Sequence, residues 1–109
     1  MKVLKFGGSS LANPTRFKDV ADIAANYAKD SPIILVLSAP QGVTNALLAL
    51  VTAAQDGGDW QSGLNQLQER FKELIEQAVP ALPEAERRNL QQISAGQLQA
   101  LADYAKGIA

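Results

Sequence analysis

The run Ile33-Ile34-Leu35-Val36-Leu37 constrains the fold more than any other segment. Five aliphatic residues without polar alternation predict a strand buried on both faces, as in parallel sheets covered by helices. Val3-Leu4-Lys5-Phe6, stopped by Gly7-Gly8, predicts an earlier strand. Between the two, Asn13-Pro14 marks a helix start, because Asn can accept from free N–H groups and Pro is tolerated at the first helical position. Phe17, Val20, Ala21, Ala24, Tyr27 and Ala28 follow at helical spacing as one buried stripe, and Asp30-Ser31-Pro32 breaks the helix. Strand, helix and strand in so short a span predict a βαβ unit over residues 1–42, with parallel strands and a right-handed crossover.

Residues 43–109 read as helical throughout. A helix over about Val43–Gln55 presents Leu47, Leu50, Val51 and Ala54, and Asp56-Gly57-Gly58-Asp59 ends it, with Asp59 placed to cap the next. A helix over about Trp60–Val79 carries Leu64, Leu67, Phe71, Leu74, Ile75 and Ala78 inward, with Trp60 as a packing anchor and Glu69, Glu73 and Glu76 on a solvated face. Pro80 and Pro83 bracket a turn. A last helix from about Pro83 is expected to turn Leu90, Ile93, Leu98, Leu101, Ala105 and Ile108 inward. Two parallel strands make a poor sheet by themselves, and the apolar pattern runs up to Ala109. The expected class is therefore α/β, as the front portion of a longer α/β protein.

Composition excludes several kinds of chemistry. No residue is Cys or His, so thiolate and imidazole metal sites, Ser-His-Asp or Cys-His catalysis and disulfide scaffolds are ruled out within this chain. A net charge of −1 argues against nucleic-acid binding through counterion release. The first third is nonetheless positive, with Lys2, Lys5, Arg16, Lys18 and Lys29 against Asp19 and Asp22, which suits a small anionic ligand. The longest apolar run is too short to span a bilayer, and Met1 leads directly into a strand-like segment without a signal-peptide pattern. The expectation is a cytoplasmic protein with no membrane partner.

Two loops carry chemical character. Lys5-Phe6-Gly7-Gly8-Ser9-Ser10 lies at the carboxyl end of the first strand, where ligands bind in open α/β sheets. Glycines there let backbone N–H groups approach a phosphate and can adopt the positive φ of an anion nest, and the serines add hydroxyl donors. Lys5 in an apolar strand calls for an anionic partner. The spacing is neither that of the P-loop nor that of the dinucleotide fingerprint, and a simple Gly-Gly turn is the competing explanation. Ser38-Ala39-Pro40-Gln41-Gly42-Val43-Thr44-Asn45 follows the second strand, and a βαβ unit brings it to the same edge. The competing explanation here is that Ser38 only closes a turn and Thr44 only caps the next helix. No general base stands out, which fits phosphoryl transfer, a reaction carried by positioning and electrostatics.

Lys5-Phe6-Gly7-Gly8-Ser9-Ser10 resembles the opening K-F-G-G-[ST]-S of aspartate kinases, and Val36-Leu37-Ser38-Ala39 with Gly42-Val43-Thr44-Asn45 resembles their second signature. Arg16-Phe17 and Val20-Ala21-Asp22-Ile23 are similar to the family's first helix. The match is specific over residues 1–51 and weak over 52–109, and the start at Met1 most resembles the bifunctional aspartokinase/homoserine dehydrogenases. The resemblance implies the amino-acid-kinase (carbamate-kinase-like) fold, a three-layer α/β sandwich, of which 1–109 would be an incomplete N-terminal part. It implies transfer of the γ-phosphate of ATP, with Mg2+, to the side-chain carboxylate of L-aspartate, giving 4-phospho-L-aspartate for lysine, threonine and methionine biosynthesis. Carried over by position, Lys5 would neutralise the transferring phosphoryl group, Gly7, Gly8 and Ser9 would cradle phosphates, and Ser38 and Thr44 would hold aspartate. NADP would enter only if a homoserine dehydrogenase domain follows. The family's remaining aspartate and nucleotide groups would lie beyond Ala109, so the chain alone is expected to be inactive, to expose apolar area, and to belong to a homo-oligomer. The alternatives are a kinase acting on acetylglutamate, glutamate or UMP, or a non-catalytic helical interaction module.

Overall fold

A computed structural model describes residues 1–78 and 82–108. The chain divides into two units, Met1–Gly42 and Val43–Ala109.

The first unit is strand, helix, strand. β1 (Lys2–Phe6) pairs in parallel with β2 (Ile33–Leu37), with Lys2 opposite Ile33 and Phe6 opposite Leu37. After β1 the chain enters a 3-10 turn, Gly8–Leu11, which the sequence pattern did not anticipate. Leu11 closes that turn at 1% exposure, the most buried large side chain of the unit. α1 (Pro14–Ala28) begins as the sequence predicts, with Pro in the first turn and the Asn13 side chain accepting from the Arg16 N–H at 2.9 Å. Its packing face is narrower than the expected stripe. Val20 and Ala24 are buried and Phe17 is half-buried, whereas Ala21, Tyr27 and Ala28 are exposed. A helix on a two-stranded sheet contacts it along one line of residues only, and the flanks of the stripe find nothing to cover them. At the helix end Tyr27 still has a role, because the Lys2 ammonium lies 4.8 Å from the centre of its ring.

β2 departs from the expectation of burial on both faces. Ile34, Leu35, Val36 and Leu37 are 44–48% exposed. The sheet has two strands, so each is an edge, and α1 packs against one face only. The run reports what the strand could bury, and this unit supplies half of it.

The second unit consists of α2 (Val43–Gln55), α3 (Trp60–Ala78) and α4 (Glu84–Ile108), each packed on the other two. α2 stops in a Schellman arrangement: Gly57 takes a φ of 71°, its N–H donates to the Ala54 carbonyl at 3.3 Å, and the Gly58 N–H donates to the Ala53 carbonyl at 2.7 Å. Asp59 caps α3, accepting from the Ser62 N–H at 3.1 Å and from the Ser62 hydroxyl at 2.5 Å. The two hydrogen bonds from Ser62, the hydroxyl's first, hold the Asp59 carboxyl below its ordinary pKa. Trp60, Leu64, Leu67 and Ala78 are the buried residues of α3, with Phe71, Leu74 and Ile75 half-buried. The expected helix end at Val79 and the Pro80 side of the turn lie outside the described residues, as does Ala109.

α4 packs through part of the expected face, joined by Ala102. Leu98, Ala102 and Ala105 are buried and Leu101 is half-buried, but Leu90, Ile93 and Ile108 are 39–54% exposed. Small residues at Ala102 and Ala105 permit close approach of a neighbouring helix, and that outweighs the larger area of Ile93. On the packed side Gln91 is half-buried, with its amide donating to the Lys72 carbonyl at 3.5 Å. Among the described residues, no helix is long and apolar enough to cross a membrane.

Candidate functional site

The carboxyl edge of the first unit's sheet brings its two loops together through the backbone. Ser38, directly after β2, donates its N–H to the Phe6 carbonyl at 3.1 Å. Gln41 donates to the Gly8 carbonyl at 3.0 Å, and Ser10 to the Gly7 carbonyl at 3.2 Å. Arg16 Nη1 donates to the Ser9 carbonyl at 2.9 Å. Four successive carbonyls, from Phe6 to Ser9, are thus engaged. The N–H groups of Gly7, Gly8 and Ser9 have no acceptor among the described residues. A loop whose acceptors are satisfied and whose donors are open presents positive partial charge to the edge.

The two glycines serve different ends. A Cβ on Gly8 would stand 3.1 Å from the Ala39 carbonyl oxygen, so Gly8 allows the loops to approach. A Cβ on Gly7 would meet nothing within 4 Å, and its backbone, at φ −82° and ψ 177°, suits any residue. Neither glycine has the positive φ expected of an anion nest; in this unit only Gly42 does, at 87°. The loop reaches its shape through the 3-10 turn instead, which points consecutive N–H groups the same way without left-handed backbone.

Lys5 is exposed, opposite Val36 in the ladder. The strand's alternation half-buries Leu4 and Phe6 and leaves Val3 and Lys5 on the other face. The Lys5 ammonium therefore needs no buried partner in this unit and is open to a ligand. Ser9 and Ser38 are exposed at the same edge. Thr44 belongs to the second unit, where it is exposed in the first turn of α2, which begins at Val43; it does not act as the residue before the helix. Lys5, Gly7, Gly8, Ser9 and Ser38 thus share one edge of one unit. Two contributors were not singled out from sequence. Gln41 ties the loops through its backbone, which no side-chain pattern reveals. Arg16 had a visible signal: a cation in a helix's first turn opposes the helix dipole.

No group of three acidic, His or Cys side chains that could hold a metal ion occurs among the described residues.

The profile of the amino acid kinase family matches residues 1–108. The chain belongs to the amino acid kinase family. Its parallel strand–helix–strand and following helices are that family's α/β arrangement. Among similar proteins, the bifunctional aspartokinase/homoserine dehydrogenase of Haemophilus influenzae is 40% identical over 75 residues, 69% of this chain and 9% of that protein. Aspartokinase 1, chloroplastic, of Arabidopsis thaliana is 37% identical over 65 residues, 60% of this chain and 11% of that protein. The aspartokinase of Rickettsia felis is 49% identical over 49 residues, 44% of this chain and 12% of that protein. This amino acid kinase chain therefore spans about a tenth of the length of the relatives it matches.

Proposed function

We infer that this chain forms the phosphate-binding edge of an aspartate kinase. The observation that carries this is the loop Gly7–Ser9, whose carbonyls are held and whose N–H groups are open, beside an exposed Lys5 and Ser38. The names of the similar proteins, all aspartokinases, favour aspartate over acetylglutamate, glutamate or UMP as acceptor.

In the proposed reaction a carboxylate oxygen of L-aspartate attacks the γ-phosphorus of ATP. The bond from that phosphorus to the β,γ-bridging oxygen breaks, and the products are 4-phospho-L-aspartate and ADP. The nucleophile is already ionised at neutral pH, so no proton needs removal and the lack of His is no obstacle. What remains is to hold three negatively charged groups together. Lys5 supplies a full charge to the moving phosphoryl group, and the N–H groups of Gly7, Gly8 and Ser9 supply partial charges already oriented for it. Ser38, tied to β1 through its backbone, offers its hydroxyl to the aspartate end, with Thr44 in the same role. Mg2+, bound with the triphosphate, would neutralise charge there. NADP belongs to the protein only if a homoserine dehydrogenase domain accompanies the kinase. In this account residues 1–109 are an N-terminal part of the catalytic domain, inactive by themselves. The whole enzyme would be a cytoplasmic homo-oligomer serving lysine, threonine and methionine synthesis.

The test is ADP release by the complete gene product with MgATP and L-aspartate, beside acetylglutamate, glutamate and UMP. Hydroxylamine should trap the acyl phosphate only when aspartate is the acceptor. Turnover with another acceptor would keep the phosphate loop and remove the roles given to Ser38 and Thr44. No turnover with any of them would leave the helical unit as the basis of function.

A further inference from the structure

One side chain reaches the candidate loop from outside it. Arg16 follows Asn13, Pro14 and Thr15 in the first turn of α1, a position where Glu or Gln would complete a capping box and where a cation opposes the helix dipole. Its own N–H is taken by Asn13 Oδ1. Its guanidinium reaches back across seven positions, and Nη1 donates to the Ser9 carbonyl at 2.9 Å. Asp19, one turn further along α1, lines the same cleft of about 230 Å3 with Phe6, Ser10 and Val20. With Asp19 beside it in that cleft, the Arg16 guanidinium still engages the loop's carbonyl.

We propose that Arg16 is a positioning residue for phosphoryl transfer, holding the Gly8–Leu11 turn in the orientation that aims the Gly7, Gly8 and Ser9 N–H groups at the phosphate. The Ser9 carbonyl and the Ser10 N–H share one peptide plane. Arg16 holds the first and the Gly7 carbonyl accepts from the second at 3.2 Å, so the plane is fixed at both ends. That plane determines the direction of the turn carrying the open donors. In this role the guanidinium acts through the carbonyl it holds. Local propensity would choose another residue here, and such departures collect at functional sites.

The inference rests on the phosphate-edge function proposed above, and the tests separate the two. In the complete gene product, R16A should lower kcat for aspartate-dependent ADP release about 10- to 100-fold, the scale expected when a reacting geometry loosens by about an ångström. KM for aspartate should change less than about threefold, because the aspartate end is held elsewhere. R16K, whose ammonium can still donate to a carbonyl, should recover to within about fivefold of the parent kcat. A kcat for R16A within about twofold of the parent overturns the proposal. So does R16K as impaired as R16A with a tenfold rise in KM for ATP, which would make the guanidinium a ligand contact. Should R16A fail to fold, R16M, which keeps the aliphatic stem, takes its place. If the parent itself shows no turnover, the kinase function fails, and the tether is read by amide exchange of this chain. Ser10 should then exchange about tenfold faster in R16M, and an unchanged rate refutes the tether.

Discussion

Alanine at Gly7 should make the protein more stable and less active, while alanine at Gly8 should make it less stable. A methyl on Gly7 meets nothing within 4 Å, and the backbone there is already in a region open to every residue. Removing glycine's freedom from the unfolded chain then stabilises by about 0.4–1 kcal/mol, which corresponds to a rise of roughly 2 to 8 °C in Tm for a domain of this size. The same methyl stands beside N–H groups that a phosphate oxygen must approach to about 2.9 Å. Losing one such charge-assisted bond costs about 1.5–3 kcal/mol, so kcat/KM should fall roughly 10- to 100-fold. At Gly8 the methyl would lie 3.1 Å from the Ala39 carbonyl oxygen, beside the Gln41-to-Gly8 hydrogen bond. The loops must part by a few tenths of an ångström, at a cost of about 1–3 kcal/mol that exceeds the entropic gain. Thermal unfolding followed by circular dichroism gives the stabilities, and coupled ADP release by the complete gene product gives the activity. A destabilised G7A, or a G7A with turnover within twofold of the parent, would refute the view that this glycine keeps space for a ligand.

Lys5→Ala should cut turnover at least about 100-fold and leave Tm almost unchanged, because the side chain is exposed; steady-state kinetics and a melting curve together check it. Asn13→Ala should cost about 1 kcal/mol of stability through loss of the α1 cap, measured by chemical denaturation. Asp59→Ala should lower Tm at neutral pH. The folded-state pKa of Asp59 lies below the ordinary 3.8, so its contribution is complete above that value and disappears as pH falls through the lowered one. Parent and variant melting curves should therefore converge in acid, and a gap independent of pH would contradict the role given to the carboxylate.

The elements were legible in the sequence where local chemistry alone decides them. Asn13-Pro14, Gly57-Gly58 and Asp59 act within a few residues of themselves, and each does what its side chain or backbone permits. Ile33–Leu37 and Val43–Gln55 have the bounds their patterns predict. What each element buries was less legible, because that depends on a partner. On α4 the sequence placed Leu98 and Ala105 inward correctly but added Leu90, Ile93 and Ile108, which find no partner, and passed over Ala102. Lys5 was read as calling for an anionic partner because its neighbours are apolar, although strand alternation puts it with Val3 on the uncovered face. The two loops at the sheet edge could be paired in advance from topology. The hydrogen bonds of Gln41 and Arg16 that shape them could not, since each links positions through a backbone carbonyl that carries no residue identity.

The parallel ladder also sets an order of events in folding. Every rung, from Lys2–Ile33 to Phe6–Leu37, joins residues about thirty positions apart, so the first rung to form bears nearly the whole loop-closure entropy, on the order of 3 kcal/mol. The later rungs close no new loop and can follow as a zipper. α1, lying inside that loop, shortens it when it forms first, and its Asn13 cap and the Lys2–Tyr27 contact sit at the two ends of the helix. Beyond the last rung, Ser38 and Gln41 reach Phe6 and Gly8 through single hydrogen bonds. An edge held by such single bonds outside the ladder is where local unfolding should begin, ahead of the helices of the second unit.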